Sequence, residues 1–203
     1  MTDSIIFDLD GTLWDSTESV AKSWNITMGF DFVTAQDISG IMGKTSAEIA
    51  NALFSQFEDK AREKCLACLA GECRDLPTLG GHIYPGVEDM LKTLAAKYPL
   101  FIVSNCEKGY IEAFLAYSGF EKYITGHLCE GDTGLNKADN ISLIAKNYGL
   151  AAPVYVGDTR LDEESARKAG CAFIHAAYGF GTALSPDASV ISAAHIADKI
   201  ERL

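Results

Sequence analysis

Short apolar runs recur along the chain at residues 4–9, 100–104, 124–128, 154–157 and 171–175, each bounded by Gly, Pro, Asp or Asn. They read as buried β-strands. Between the later runs, apolar positions return at helical spacing over 87–97, 108–118, 138–148 and 161–169, the last closed by Gly170 as a C-terminal cap. Strands alternating with helices predict an α/β fold, a doubly wound parallel sheet with helices on both faces. Ligands of such a sheet bind beyond the carboxyl ends of its strands.

One stretch breaks the alternation. From Asp15 to about Tyr84 the periodicity is helical, with helices predicted at 17–28, 46–57 and 59–70 and no strand, followed by a loop-rich segment at 75–86 carrying Pro77, Gly80, Gly81, Pro85 and Gly86. The pattern divides the chain into an α/β core, residues 1–14 and 86–203, and an inserted all-helical cap, residues 15–85. A site is expected between the two pieces. From Asp187 onward a further strand and helix close the core.

Composition narrows the class of protein. The 203 residues are 48% hydrophobic and 22% charged, enough chain to bury roughly 70% of its unfolded surface in a core. With 28 acidic and 17 basic residues the net charge is -11, which repels phosphate backbones and anionic lipid. Neither nucleic acid nor membrane is the expected partner. The N-terminus has no basic stretch and only three consecutive apolar residues, Ile5 to Phe7, and no run of 18 apolar residues occurs, so a cytoplasmic location is expected. The six cysteines should then be free thiols. Cys65, Cys68 and Cys73 lack a nearby fourth ligand for a closed zinc site and read as small core residues.

The candidate chemistry lies at strand ends. The first strand runs into Asp8-Leu9-Asp10-Gly11-Thr12, where two carboxylates two residues apart project to one side of an extended chain and Gly11 permits a sharp turn. A second acidic pair follows another apolar strand: Asp158 after Tyr155-Val156-Gly157, and Asp162 four residues on, facing the same way if a helix starts near Thr159. A parallel sheet can bring all four carboxylates together. Two unit charges 4 Å apart repel by about 4 kcal/mol at an effective dielectric of 20, so a cation is expected among them. Hard oxygen donors without His or thiolate suit Mg²⁺, which accepts a substrate phosphate as a further ligand. Ser104-Asn105, ending a strand and opening a helix, and Lys137, just before another helix, would hold that phosphate.

These residues, Asp8-x-Asp10-Gly-Thr, Ser104, Lys137 and Gly157-Asp158-x-x-x-Asp162, match in order the four motifs of the haloacid dehalogenase-like (HAD) superfamily, which the whole chain resembles. The helical insertion and the phrase Tyr84-Pro85-Gly86-Val87 resemble its phosphoglycolate phosphatase-like subgroup. The resemblance implies a Mg²⁺-dependent phosphatase acting on a small-molecule phosphate ester. It makes Asp8 the nucleophile that becomes an aspartyl-phosphate, and Asp10 the acid and then base. It makes Ser104, Asn105 and Lys137 the phosphate-binding groups, and Asp8, Asp10 (through its main-chain carbonyl), Asp158 and Asp162 the metal site, with Asp162 in contact with the ion or one step behind it.

The family's lysine is often followed by proline, whereas Ala138 stands here. Family dehalogenases lack the second aspartate, so Asp10 favours phosphate chemistry. A sugar-phosphate mutase and a non-catalytic binding module with this fold are the alternatives. The resemblance also makes the insertion a lid over the site. Its Gly40-Ile-Met-Gly43-Lys44-Thr45 fails the spacing of a nucleotide phosphate loop, and Lys44 is expected to touch the substrate's non-phosphate end. The glycine-rich stretch 175–182 reads as a packed aromatic loop near the mouth, and Cys106 as an inert thiol. His82, His127 and His195 show no ligand spacing.

Overall fold

The structure, a computed structural model, describes residues 2–202. In chain order, strand β1 (Ser4–Phe7) leads to β2 (Trp14–Asp15), then helices α1 (Thr17–Met28), α2 (Ala35–Ser39), α3 (Ser46–Leu53) and α4 (Ala61–Leu79). The chain returns through β3 (His82–Ile83), α5 (Val87–Ala95), β4 (Leu100–Ser104), α6 (Tyr110–Ser118), β5 (Gly126–Cys129), α7 (Glu130–Thr133) and α8 (Lys137–Tyr148). It ends with β6 (Pro153–Gly157), α9 (Arg160–Lys168), β7 (Ala172–Ala176), β8 (Ala188–Val190) and α10 (Ile196–Ile200).

Six strands form one parallel sheet in the order β5-β4-β1-β6-β7-β8. Its central strands are buried throughout, which is why SIIF, LFIVS and PVYVG read as continuous apolar runs rather than alternations. Side chains alternate between faces: Ile5 and Phe7 join one core, Ile6 the other, where Ile141 and Ile144 of α8 and Ala166 of α9 cover the sheet. β1 lies between β4 and β6, with Phe7 beside both Ile102 and Val156. The residues that follow β1, β4 and β6 therefore emerge side by side at the carboxyl edge, where the strand order reverses and a crevice opens.

The expectation of no strand between 15 and 84 is corrected. β2 and β3 pair antiparallel, Trp14 with Ile83 and Asp15 with His82, so the two crossings into and out of the helical segment form a ribbon. The predicted helix 46–57 stops at Leu53, and a 3-10 turn, Ser55–Lys60, follows. The predicted 59–70 helix instead runs to Leu79, through the region read as loop. Pro77 lies in its last turn, where the proline removes one amide donor, and Leu76, fully buried, holds that turn down while α4 packs against α1 and α6. Capping boxes at Thr34 with Asp37 and Thr45 with Glu48 start α2 and α3. Trp14 anchors this segment to the core through edge-on contact with Phe114, ring centroids 5.0 Å apart. β1, β5 and β7 are each displaced from the predicted spans by one or two residues at their ends.

Candidate functional site

Asp8 follows β1 directly, and its amide continues the ladder to the Val156 carbonyl at 2.8 Å. This fixes the buried side chain at the sheet edge. Asp158 follows β6 in the same register, fully buried. Asp162 is the third residue of α9 and closes a capping box: one of its oxygens accepts from the Thr159 amide at 2.9 Å and hydroxyl at 2.6 Å. Gly157 is required beneath it, since a Cβ there would stand 2.6 Å from the Asp162 Cβ.

Lys137 is the first residue of α8, not the one before it, positioned by Asn136, whose side chain accepts from the Asp139 amide at 3.1 Å. Its fully buried ammonium donates to Asp8 Oδ1 at 2.9 Å and to the other Asp162 oxygen at 2.6 Å. Burial opposes a charged ammonium, yet Asp162 and Asp8 hold Lys137 protonated above its ordinary range.

Asp8, Asp158 and Asp162 each offer an oxygen within 4.8 Å of the others. Burial, then the Asp162 charge, pushes Asp8 up to about 7 against the pull of Lys137. Burial, Asp162 and Asp8 push Asp158 up to about 8. One ammonium does not balance three carboxylates. Asp158 Oδ1 is buried without a hydrogen-bond partner, and an orphaned anionic oxygen beside two more carboxylates fits a hard divalent cation.

Asp10 departs from the expected convergence of four carboxylates. Its side chain lies outside the cluster and accepts instead from Ser16 at 2.6 Å and Tyr110 at 2.9 Å, two hydroxyls themselves 2.8 Å apart. Burial raises its carboxyl to about 6, while these two donors hold it down. That value suits a group that exchanges protons near neutral pH. Asp8 and Asp10 both line a cavity of about 60 Å³ roofed by α1 to α4.

Ser104, buried at the end of β4, lines the same cavity with Asn105. The expected helix does not open here: α6 starts only at Tyr110, so no helix N-terminus points at Ser104. Asn105 instead donates to the Gly43 carbonyl at 3.0 Å, tying the sheet edge to the loop before α3, and its own carbonyl oxygen is buried without a partner. Lys44, exposed, stands on the lining beside that loop.

Several contributors escape sequence reasoning. The 175–182 stretch clamps Asp158: the Phe180 amide donates to its Oδ2 at 2.7 Å, His175 Nε2 stands 3.1 Å from its carbonyl, and Tyr178 donates to the Thr12 carbonyl at 2.7 Å. Gly179 permits this, because a Cβ there would overlap Asp158 and the Gly11 carbonyl. The glycines were the available signal. Glu72 of α4 is buried on the lining and accepts from Trp24 Nε1 at 2.7 Å. A charged residue on the apolar side of LACLAGE was its trace. The six cysteines are free; Cys65 and Cys68 are buried core residues and Cys73 is half-buried. Burial pushes the Cys106 thiol well above its ordinary range.

Residues 5–176 match the family model of haloacid dehalogenase-like hydrolases. Among curated relatives, the phosphoglycolate phosphatase of Synechococcus elongatus is 31% identical over 184 residues, spanning 87% of this chain and 84% of the relative. That of Aliivibrio fischeri is 28% identical over 192 residues, with 87% and 84% covered. Among solved structures, a haloacid dehalogenase-like hydrolase from Streptococcus pneumoniae superposes with a TM-score of 0.83 at 22% identity, covering 98% of both chains.

Proposed function

The chain belongs to the haloacid dehalogenase-like hydrolase family, and from that premise we propose that it is a Mg²⁺-dependent phosphatase hydrolysing a small-molecule phosphomonoester, phosphoglycolate-like or a sugar phosphate. Membership of a hydrolase family sets the non-catalytic binding module aside. The observation that carries the reading is Lys137 bridging Asp8 and Asp162 beside the orphaned Asp158 oxygen. Net charge of -11 disfavours nucleic acid as substrate, and free cysteines support a cytoplasmic location. Among the described residues no helix is long and apolar enough to cross a membrane.

In this mechanism Asp8 attacks phosphorus as a carboxylate, the form that Lys137 favours and aims. The bond from phosphorus to the leaving oxygen breaks as the bond to Asp8 forms, giving an aspartyl-phosphate. Asp10, in its protonated form, gives the leaving oxygen its proton. Then, as a carboxylate, it takes a proton from the water that attacks phosphorus. The phosphorus–Asp8 bond breaks and phosphate departs. Ser104 and Lys137 bind phosphoryl oxygens, with Asn105 at the same edge. Asp8, Asp158, Asp162 and the Asp10 main chain would hold Mg²⁺, which when bound offsets the charge between carboxylates and phosphate. The segment 15–85 acts as a lid that excludes water, and Lys44 meets the non-phosphate end of the substrate.

Phosphate release from a panel of phosphomonoesters, with Mg²⁺ and with excess chelator, tests this reading. Metal-dependent release is expected. Isomerised sugar phosphate without free phosphate would make the protein a mutase instead.

A further inference from the structure

The roof of the cavity differs from its floor. Above Asp8 and Ser104 the lining is apolar, with Val20, Trp24, Ile38, Ile49 and Leu69 all buried. Set among them is Glu72, a carboxyl buried with one oxygen on Trp24 Nε1 at 2.7 Å. Lys44 is the one cationic side chain on the lining among the described residues, and it is exposed at the rim. Glu107 and Glu130, half-buried, add further negative charge to the same lining.

A leaving group bearing a carboxylate would meet one cation, Lys44 at the exposed rim, against three acids, Glu72, Glu107 and Glu130, on the same lining. A purely apolar leaving group would leave the second Glu72 oxygen without a partner in an apolar enclosure, where an unmade hydrogen bond is costly. An uncharged group carrying a hydroxyl or carbonyl satisfies both conditions. We propose that Glu72 is a specificity residue, hydrogen-bonding a hydroxyl or carbonyl of an uncharged leaving group, so that the ester hydrolysed is that of a small polyol or sugar rather than of a carboxylic acid. Burial, reinforced by the charges of Asp10 and Glu107 and opposed by Trp24, raises the Glu72 carboxyl well above its ordinary range. A neutral carboxyl accepts from Trp24 with one oxygen and has a proton to donate with the other. The inference rests on the phosphatase reading and narrows it to one of the two substrate classes.

The test measures phosphate release from glycerol phosphate, phosphoglycolate and n-butyl phosphate by wild type, Glu72→Gln and Glu72→Leu. Wild type should favour glycerol phosphate over phosphoglycolate about 10-fold or more in kcat/KM. Glu72→Leu should lose about 5- to 10-fold on glycerol phosphate, mainly in KM, with butyl phosphate changed less than about twofold. Glu72→Gln, which keeps both a donor and an acceptor, should retain glycerol phosphate within about threefold. A wild-type preference for phosphoglycolate, or an equal loss on all three esters in Glu72→Leu, overturns the inference while leaving the phosphatase reading intact. If Glu72→Leu does not fold, the wild-type ranking and Glu72→Gln decide. Release from none of the esters overturns the phosphatase reading and the inference with it.

Discussion

The Lys137 ammonium lies 2.9 Å from Asp8 Oδ1, an ion pair that joins positions 129 residues apart in the chain and is closed to solvent on both sides. The same ammonium serves Asp162, so one cation holds together the first strand, α8 and α9. Lys137→Met would strand two buried carboxylates. We expect it to cost about 3 kcal/mol of stability in urea unfolding, with Mg²⁺ recovering part of the loss. A change under about 1 kcal/mol would mean that the pair is not structural.

Asp10 owes its place to Ser16 and Tyr110 rather than to the carboxylate cluster. Each hydroxyl donates to its carboxylate form and so lowers its pKa. Tyr110→Phe removes one donor, and the Asp10 carboxyl should rise from about 6. The basic limb of the kcat/KM profile, where Asp10 must still hold its proton, should move to higher pH by about one unit, since a unit is worth about 1.4 kcal/mol and a bond to a charged group about 1.5–3 kcal/mol. An unmoved limb would disconnect Asp10 from the proton transfers.

Gly179 admits the Asp158 side chain and the Gly11 carbonyl where a Cβ would otherwise lie. Gly179→Ala should displace the Asp158 carboxylate. The expected loss is about 1–3 kcal/mol of stability from overpacking, together with weaker Mg²⁺ binding in calorimetry. Unchanged metal affinity would show that the 175–182 loop does not position Asp158.

Burial and mutual repulsion raise Asp8 to about 7 and Asp158 to about 8. Between the ordinary carboxylate value near 4 and those values, the folded protein retains protons that the unfolded chain has released. Without a divalent cation, stability contributed by these groups is therefore greatest at low pH and is lost as pH rises through that window. A bound cation favours the ionised forms, so Mg²⁺ should raise Tm more at about pH 8 than at about pH 5.5. An equal rise at both pH values, or none, would contradict a metal site built on these carboxylates.

What could be read in advance was what is encoded locally. Apolar runs ended by aspartates marked β1 and β6, and one ended by Ser104-Asn105 marked β4, and these strands do bring Asp8, Ser104 and Asp158 to one edge. The β2–β3 ribbon has two residues per strand, too few for a periodic signal. The helix through Pro77 contradicts its local propensity because Leu76 and the packing of α4 against two helices outweigh the lost donor. The Ser16–Tyr110 support for Asp10 spans 94 residues, and nothing near either residue announces it. Ser104-Asn105 predicts a helix start, yet α6 begins five residues later, at Tyr110, and the Asn105 amide reaches the Gly43 carbonyl.

The most direct test of the account is to stop turnover by rapid acid quench, in Mg²⁺ and with a hydrolysed ester, and to locate any covalent phosphoryl group by peptide mass spectrometry. The account predicts phosphorylation of the peptide containing Asp8 at that residue, and neither label nor turnover in Asp8→Asn. Label on another side chain, or full turnover by Asp8→Asn, would contradict it.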